Sequence, residues 1–132
     1  MLTKEKGDVA VGKAISYFIS SGYEVCIPIG DRTDYDLVIE RGNKLEKVQV
    51  KYAGHYPSKN NKCCVGLRIT GGNQSYKTAK KYSDESFDIL FVYTANNQLY
   101  LAPWNEISAR NEIWIEHPKY QRYNVSVADR QG

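Results

Sequence analysis

The sequence reads as mixed α/β (α+β): one amphipathic helix, a β-meander, further strands and a C-terminal extension. Two patterns lead there. Residues 3–21 place Val11, Ala14, Ile15, Phe18 and Ile19 close to the i, i+3, i+4, i+7 spacing of one buried helix face. From Tyr23 onward that period gives way to short alternating runs punctuated by Gly, Asn and Pro, the pattern of strands and turns. A length of 132 residues without internal repeats suits one domain. The expected division of 1–132 is a core of about 3–103 and an extension of about 104–132.

In order, Thr3 is a candidate helix cap and Gly22 a natural stop. Residues 23–28 alternate like a strand, and the polar stretch 30–34 is a loop. Residues 35–40 and 47–52 form two antiparallel strands around a Gly42-Asn43 turn. Residues 53–62 contain Pro57 and read as a loop. Residues 63–70 are β-like, with Cys63 and Cys64 as a pair of which one side chain is buried, and Gly71-Gly72-Asn73 is a turn. A short helix is expected over 75–82. Strongly apolar residues 87–94 turn at 95–97 into a partner strand, 98–102. Residues 113–115 and 123–127 are short strands.

Composition excludes several classes. Hydrophobic residues make up 42% and charged residues 25%, which argues against disorder. No apolar run is long enough to span a membrane, and the first residues, Met1-Leu2-Thr3-Lys4-Glu5-Lys6, lack the apolar core of a secretory signal. Three cysteines without a CxxC pair indicate neither structural zinc nor a disulfide framework, so a reduced, cytoplasmic protein is expected. The net charge is only +3. Its distribution is uneven: between Lys44 and Glu85 stand nine Lys and Arg residues but only Glu46, Asp84 and Glu85 as acids. That is either a solvated basic surface or a polyanion-binding one. His55 and His117 have no ligand spacing to an acid or a cysteine and read as surface or turn residues.

One constellation carries chemistry. Gln49 and Lys51, two apart on a strand, share a face, while Val48, Val50 and Tyr52 face the core. On its own this is equally the solvent face of an amphipathic sheet. Asp36 stands among Leu37, Val38 and Ile39, where a carboxylate is costly unless something satisfies it. A metal ion or the Lys51 ammonium would do so. An acid, an amide oxygen and a lysine on paired strands suit Mg²⁺, which takes hard oxygen ligands. Arg32 and Asp34 lie beside this site and either contact a ligand or cap the loop.

This order resembles the PD-(D/E)XK nuclease superfamily. Tyr35-Asp36 followed by Gln49-Val50-Lys51 is similar to its "PD…(D/E)xK" signature, and Lys6-Gly7-Asp8-Val9-Ala10 with Gly22-Tyr23-Glu24-Val25 is similar to its opening helix and first strand. Within it the chain resembles a cyanobacterial group I intron-encoded homing endonuclease. The resemblance implies a restriction-endonuclease-like core and hydrolysis of DNA phosphodiesters by water activated on Mg²⁺ (or Mn²⁺). It implies Asp36, Gln49 and the Val50 carbonyl as metal ligands and Lys51 as the residue that positions or activates the nucleophile. Three positions depart from the pattern: Tyr35 replaces the proline, Gln49 the second acid, and Val11 stands where the helix glutamate is usual. Valine binds neither metal nor water, so the chain is a candidate for a weakened form, with Asp8 one turn earlier as a substitute.

Cutting both strands of a duplex needs two such sites, so at least a homodimer is expected, and the resemblance implies a homotetramer built as a dimer of dimers. The C-terminal half, with Trp104 and Trp114, is the expected interface. Arg32, Lys59, Lys62, Arg68 and Lys77 are the candidate contacts to double-stranded DNA, in bacterial cytoplasm at the nucleoid. The alternatives are a Holliday-junction resolvase or restriction-type nuclease of the same fold, a catalytically decayed DNA-binding module, and a plain interaction protein.

Overall fold

The computed structural model describes residues 2–69 and 80–126. Helix α1 (Thr3–Ser20) buries Ala10, Ala14 and Phe18, with Val11 and Ile15 half-buried beside them, while Ile19 falls off that face and is exposed. Thr3 is not its cap. Leu2 holds that position, its carbonyl accepting the Lys6 N–H at 3.0 Å, and no side chain caps the first turn. The helix stops at Gly22 as expected. The N–H groups of Gly22 and Tyr23 donate to the carbonyls of Ile19 and Phe18, each at 3.0 Å, and Gly22 adopts φ +90. A side chain at Gly22 would meet no atom within 4 Å, so Gly22→Ala should cost backbone strain alone. The expected loss is about 1 kcal/mol, read as a melting temperature lower by roughly 2–5 °C.

Strands β1 (Glu24–Cys26), β2 (Leu37–Arg41) and β3 (Lys44–Tyr56) form the antiparallel meander. β3 is longer than its sequence suggests. It continues through Ala53 to Tyr56, where a loop was expected, because Gly54, His55 and Tyr56 pair with Cys64, Cys63 and Lys62 of β4 (Lys62–Gly66). Pro57 starts only a single 3₁₀ turn between them. β5 (Arg68–Ile69) pairs with β6 (Lys80–Lys81), so the end of the expected 75–82 helix is a strand. The remainder of that helix, 75–79, with the 71–73 turn and Lys77, lies outside the described residues. β7 (Ile89–Thr94) runs parallel to β3, β8 (Leu99–Pro103) returns antiparallel, and β9 (Glu112–Trp114) pairs with β4. Residues 118–123 are a 3₁₀ helix rather than the lead into a strand, and Asn124 makes one isolated bridge to Tyr100. Pro118 opens that turn, and the His117 side chain caps it by accepting the Lys119 N–H.

Both faces of the sheet are covered. Toward α1 lie Leu37, Ile39, Val48, Val50, Ile89 and Phe91. Toward the other side lie Ala53, Cys63, Val65, Leu90, Val92 and Tyr100, packed under Trp104, Ile107, Ile115, Tyr120 and Tyr123. A central parallel strand buried on both faces needs an unbroken apolar run, which is what Ile89–Val92 supplies. The same covering buries both Cys63 and Cys64, not one of them. Burial, with the Glu116 carboxylate beside it, pushes the Cys63 thiol up to about 11, so it is no nucleophile. Trp104 is 1% exposed and donates its indole N–H to the Ser83 carbonyl, so it belongs to this chain's core and not to an interface.

One break in the sheet positions the site. β2 pairs with β3 only as far as Val48, and β4 joins the same edge only from Gly54. β7 fills the opposite edge from Val48 to Ala53. On the β2/β4 edge the backbone of Val50 and Tyr52 therefore faces a gap between two splayed strands, with no strand partner on that edge among the described residues.

Candidate active site

Asp36 lies just outside β2, at the gap. Its backbone N–H donates to Val48 O at 2.8 Å, the last bond of the β2–β3 ladder. Its side chain carries the pattern one step further: Oδ2 accepts the Val50 N–H at 2.9 Å. A carboxylate thus takes the place of a missing strand. Gln49 closes the arrangement. Its Nε2 donates to Asp36 Oδ2 at 3.1 Å and to the Val50 carbonyl at 3.2 Å. Gln49 is only 8% exposed, which rules out the solvent-face reading of this strand.

Lys51 follows on the same face. Its Nζ lies 5.1 Å from the centre of the Tyr82 ring. Burial pulls the Lys51 ammonium below its usual range, partly offset by the Asp36 charge. Burial also raises the Asp36 carboxyl, against the Val50 N–H and the Lys51 charge, which lower it. Each ion is thus held in a place that disfavours it and is supported by the other, the pattern of a functional site rather than of a surface ion pair. Tyr82 is shifted upward by its own burial and by the Asp36 and Asp34 carboxylates, so its phenol stays neutral. Asp34 accepts the Ser86 hydroxyl at 2.9 Å and anchors the loop leading into Asp36.

Asp36 Oδ2 and the Val50 carbonyl both accept from one nitrogen, so a single small donor already bridges two oxygens there. Turning the Gln49 amide over would add Oε1 as a third. One carboxylate, one amide and one backbone carbonyl are a hard-oxygen set that fits Mg²⁺ with several waters retained. Among the described residues no cluster of three His, Cys, Asp or Glu ligands exists, in keeping with Gln and Val standing where acids are usual.

Beside this centre runs a groove of about 580 Å³ between the start of α1 and the β3–β4 end of the sheet. Thr3, Lys6, Gly7, Lys51, His55 and Arg68 are among the residues lining it. Its named charges are cationic.

A family model described as PD-(D/E)XK endonuclease matches residues 1–130. The chain belongs to the PD-(D/E)XK endonuclease family. A solved structure of the bacterial homing endonuclease I-Ssp6803I superposes with a TM-score of 0.81 at 30% identity, covering 97% of this chain and 92% of that one. Protein 5.3 of Escherichia phage T7 is 30% identical over 98 residues, 74% of this chain and 77% of its own. Family and shared fold support endonuclease activity, with DNA as the substrate.

Of the residues singled out from sequence, Asp36, Gln49, Val50 and Lys51 meet at the strand gap. Val11 does not join them: it is half-buried and packs into the core under α1. The helix lends Thr3, Lys6 and Gly7 to the groove, whereas Asp8 is exposed elsewhere on it. Arg68 lines the groove, and its buried Nε has no hydrogen-bond partner among the described residues. Lys59 is paired with Glu112 at 2.7 Å, Lys62 lies over the Trp114 ring, and Arg32 is exposed on the loop before Asp36. Sequence reasoning missed Lys6, His55 and Tyr82. His55 shares the odd-numbered face of β3 with Lys51, a signal that shows only because the strand runs on past Tyr52 to Tyr56.

Proposed function

We propose that this chain, acting as one domain, is a site-specific double-strand DNA endonuclease of the intron-homing type. The observation that carries the reading is the convergence of Asp36, Gln49, Val50 and Lys51 where one edge of β3 lies open between β2 and β4, beside a cationic groove. Asp36, the Val50 carbonyl and Gln49 would hold Mg²⁺ or Mn²⁺. Bound there, the ion would supply Lewis acidity and a water of lowered pKa. Lys51 contributes a charge in a partly dry pocket, where it stabilises the extra negative charge of a five-coordinate phosphate. The Val50 N–H fixes the Asp36 carboxylate, and the Tyr82 ring confines the Lys51 ammonium. The groove cations and Arg32, Lys59, Lys62 and Lys77 serve the DNA backbone and bases, so affinity falls steeply with salt. One site cuts one strand. Two copies, and a dimer of dimers for a long target, complete the enzyme, which works on nucleoid DNA in bacterial cytoplasm.

The likeness to I-Ssp6803I over nearly both full chains favours homing over junction resolution. A plasmid carrying a candidate intron insertion site tests this with Mg²⁺ and with EDTA. The expected result is one metal-dependent double-strand cut and no attack on four-way junctions. Cleavage of junctions regardless of sequence would replace homing with resolution.

Val11 favours a weakened enzyme. Helical side chains lean toward the N-terminus, so a glutamate at position 11 would lean over Gly7, which lines the groove and has open space around it. Val11→Glu should raise the cleavage rate about tenfold or more. No gain would remove the idea of a weakened enzyme, and binding without cleavage even then would mark a decayed DNA-binding module.

A further inference from the structure

His55 stands on the same face of β3 as Gln49 and Lys51 and lines the same groove, and its ring is tied down from behind. His55 Nε2 lies 3.0 Å from Asn96 Oδ1, on the β7–β8 turn. Asn96 in turn donates from Nδ2 to both carboxylate oxygens of Glu116, at 2.9 and 3.1 Å. A carboxylate only accepts, so the nitrogen end of the Asn96 amide faces Glu116 and the oxygen end faces His55. An amide oxygen also only accepts, so Nε2 carries the ring's hydrogen. Neutral His55 is therefore left with a lone pair on Nδ1, its remaining polar atom, and a lone pair repels a phosphate. Only the imidazolium has an N–H at Nδ1 to offer a phosphate.

We propose that His55, oriented by Asn96 and Glu116, is a proton-gated contact to a DNA phosphate in the groove, separate from the hydrolytic centre. The inference rests on the endonuclease reading above. Four residues along a strand place His55 roughly 13 Å from Lys51, so the phosphate it meets is not the one being cut. The charged and titratable groups around it are Lys51, Tyr52 and Tyr56 on β3, Cys63 opposite it on β4, Glu116 behind Asn96, Lys6 from α1 and Arg68 from β5. The groove cations would attract phosphate at any pH at which they stay charged. Histidine is the side chain whose charge ordinarily changes between pH 5 and 8.

The test is the affinity for a fluorescein-labelled duplex of mixed sequence, in EDTA at fixed salt, at pH 6 and pH 8. Wild type should bind about tenfold tighter at pH 6, the size of one ionic contact. The exposed site tolerates His55→Gln, which should bind at both pH values as wild type does at pH 8. Glu116→Gln no longer dictates which way Asn96 faces and should keep only about a threefold gain, about half the free energy of the wild-type response. A tenfold pH response surviving in His55→Gln, or none in wild type, overturns the proposal while leaving the endonuclease intact. Failure of wild type to bind duplex at either pH overturns the endonuclease reading and this contact with it.

Discussion

Lys51→Ala is expected to slow DNA cleavage roughly 10²–10³-fold and to change duplex affinity by less than about threefold. The asymmetry follows from where Lys51 sits. Its ammonium is half-buried between Asp36 and the Tyr82 ring, where a charge is worth far more to a developing phosphorane than to an intact, solvated backbone. Other cations of the groove, Lys6 and Arg68, remain to hold the duplex. Cleavage rates under single-turnover conditions and binding in EDTA separate the two effects. Equal losses in both would make Lys51 a structural residue.

The double substitution Asp36→Asn with Lys51→Met should abolish cleavage and, at the same time, stabilise the fold. Burial raises the Asp36 carboxyl above 3.8 in the folded state, so folding loses stability as pH rises through the interval from 3.8 to that raised value and carries the penalty above it. Burial lowers Lys51 below 10.5, so its penalty is present at low and neutral pH and is relieved only as pH rises from the lowered value toward 10.5. Near neutrality both ions therefore oppose folding, and each is tolerated through the other. Removing one leaves the other without its partner. Removing both, with asparagine keeping the hydrogen bond from Val50, should add about 1–2 kcal/mol. Thermal melts at pH 7 should rise by roughly 2–6 °C. A double variant melting below wild type would show that the pair holds the sheet together instead of burdening it.

The site was legible in part because two of its cues are local. A period of two placed Gln49 and Lys51 on one face, and a carboxylate beside Leu37, Val38 and Ile39 asked for a partner. The reason those residues form a pocket was not legible. It lies in the pairing of Gly54 with Cys64, ten residues away, which pulls β4 onto the edge that β2 has left at Val48 and opens the gap that Asp36 fills. Alternation within one strand carries no information about where its neighbours end. The same pairing extends β3 to Tyr56 and brings His55 into the groove. Pro57 suggested a loop, but the chain needs only one 3₁₀ turn there. Tyr82 comes from a different stretch of chain, and no spacing links it to Lys51. Beyond Pro103 the sequence pattern weakened because Trp104, Ile107, Ile115, Tyr120 and Tyr123 pack a core from turns and 3₁₀ segments, which have no period to read.

The proposed activity requires one metal-dependent hydrolytic centre formed by Asp36, Gln49, Val50 and Lys51. Sequencing the ends produced in a random-sequence duplex library by wild type and by Asp36→Ala, each with Mg²⁺ and with EDTA, addresses it directly. Discrete ends made only by wild type, and only with the metal, are the predicted outcome. Ends that persist in EDTA, or in equal yield from Asp36→Ala, would contradict it.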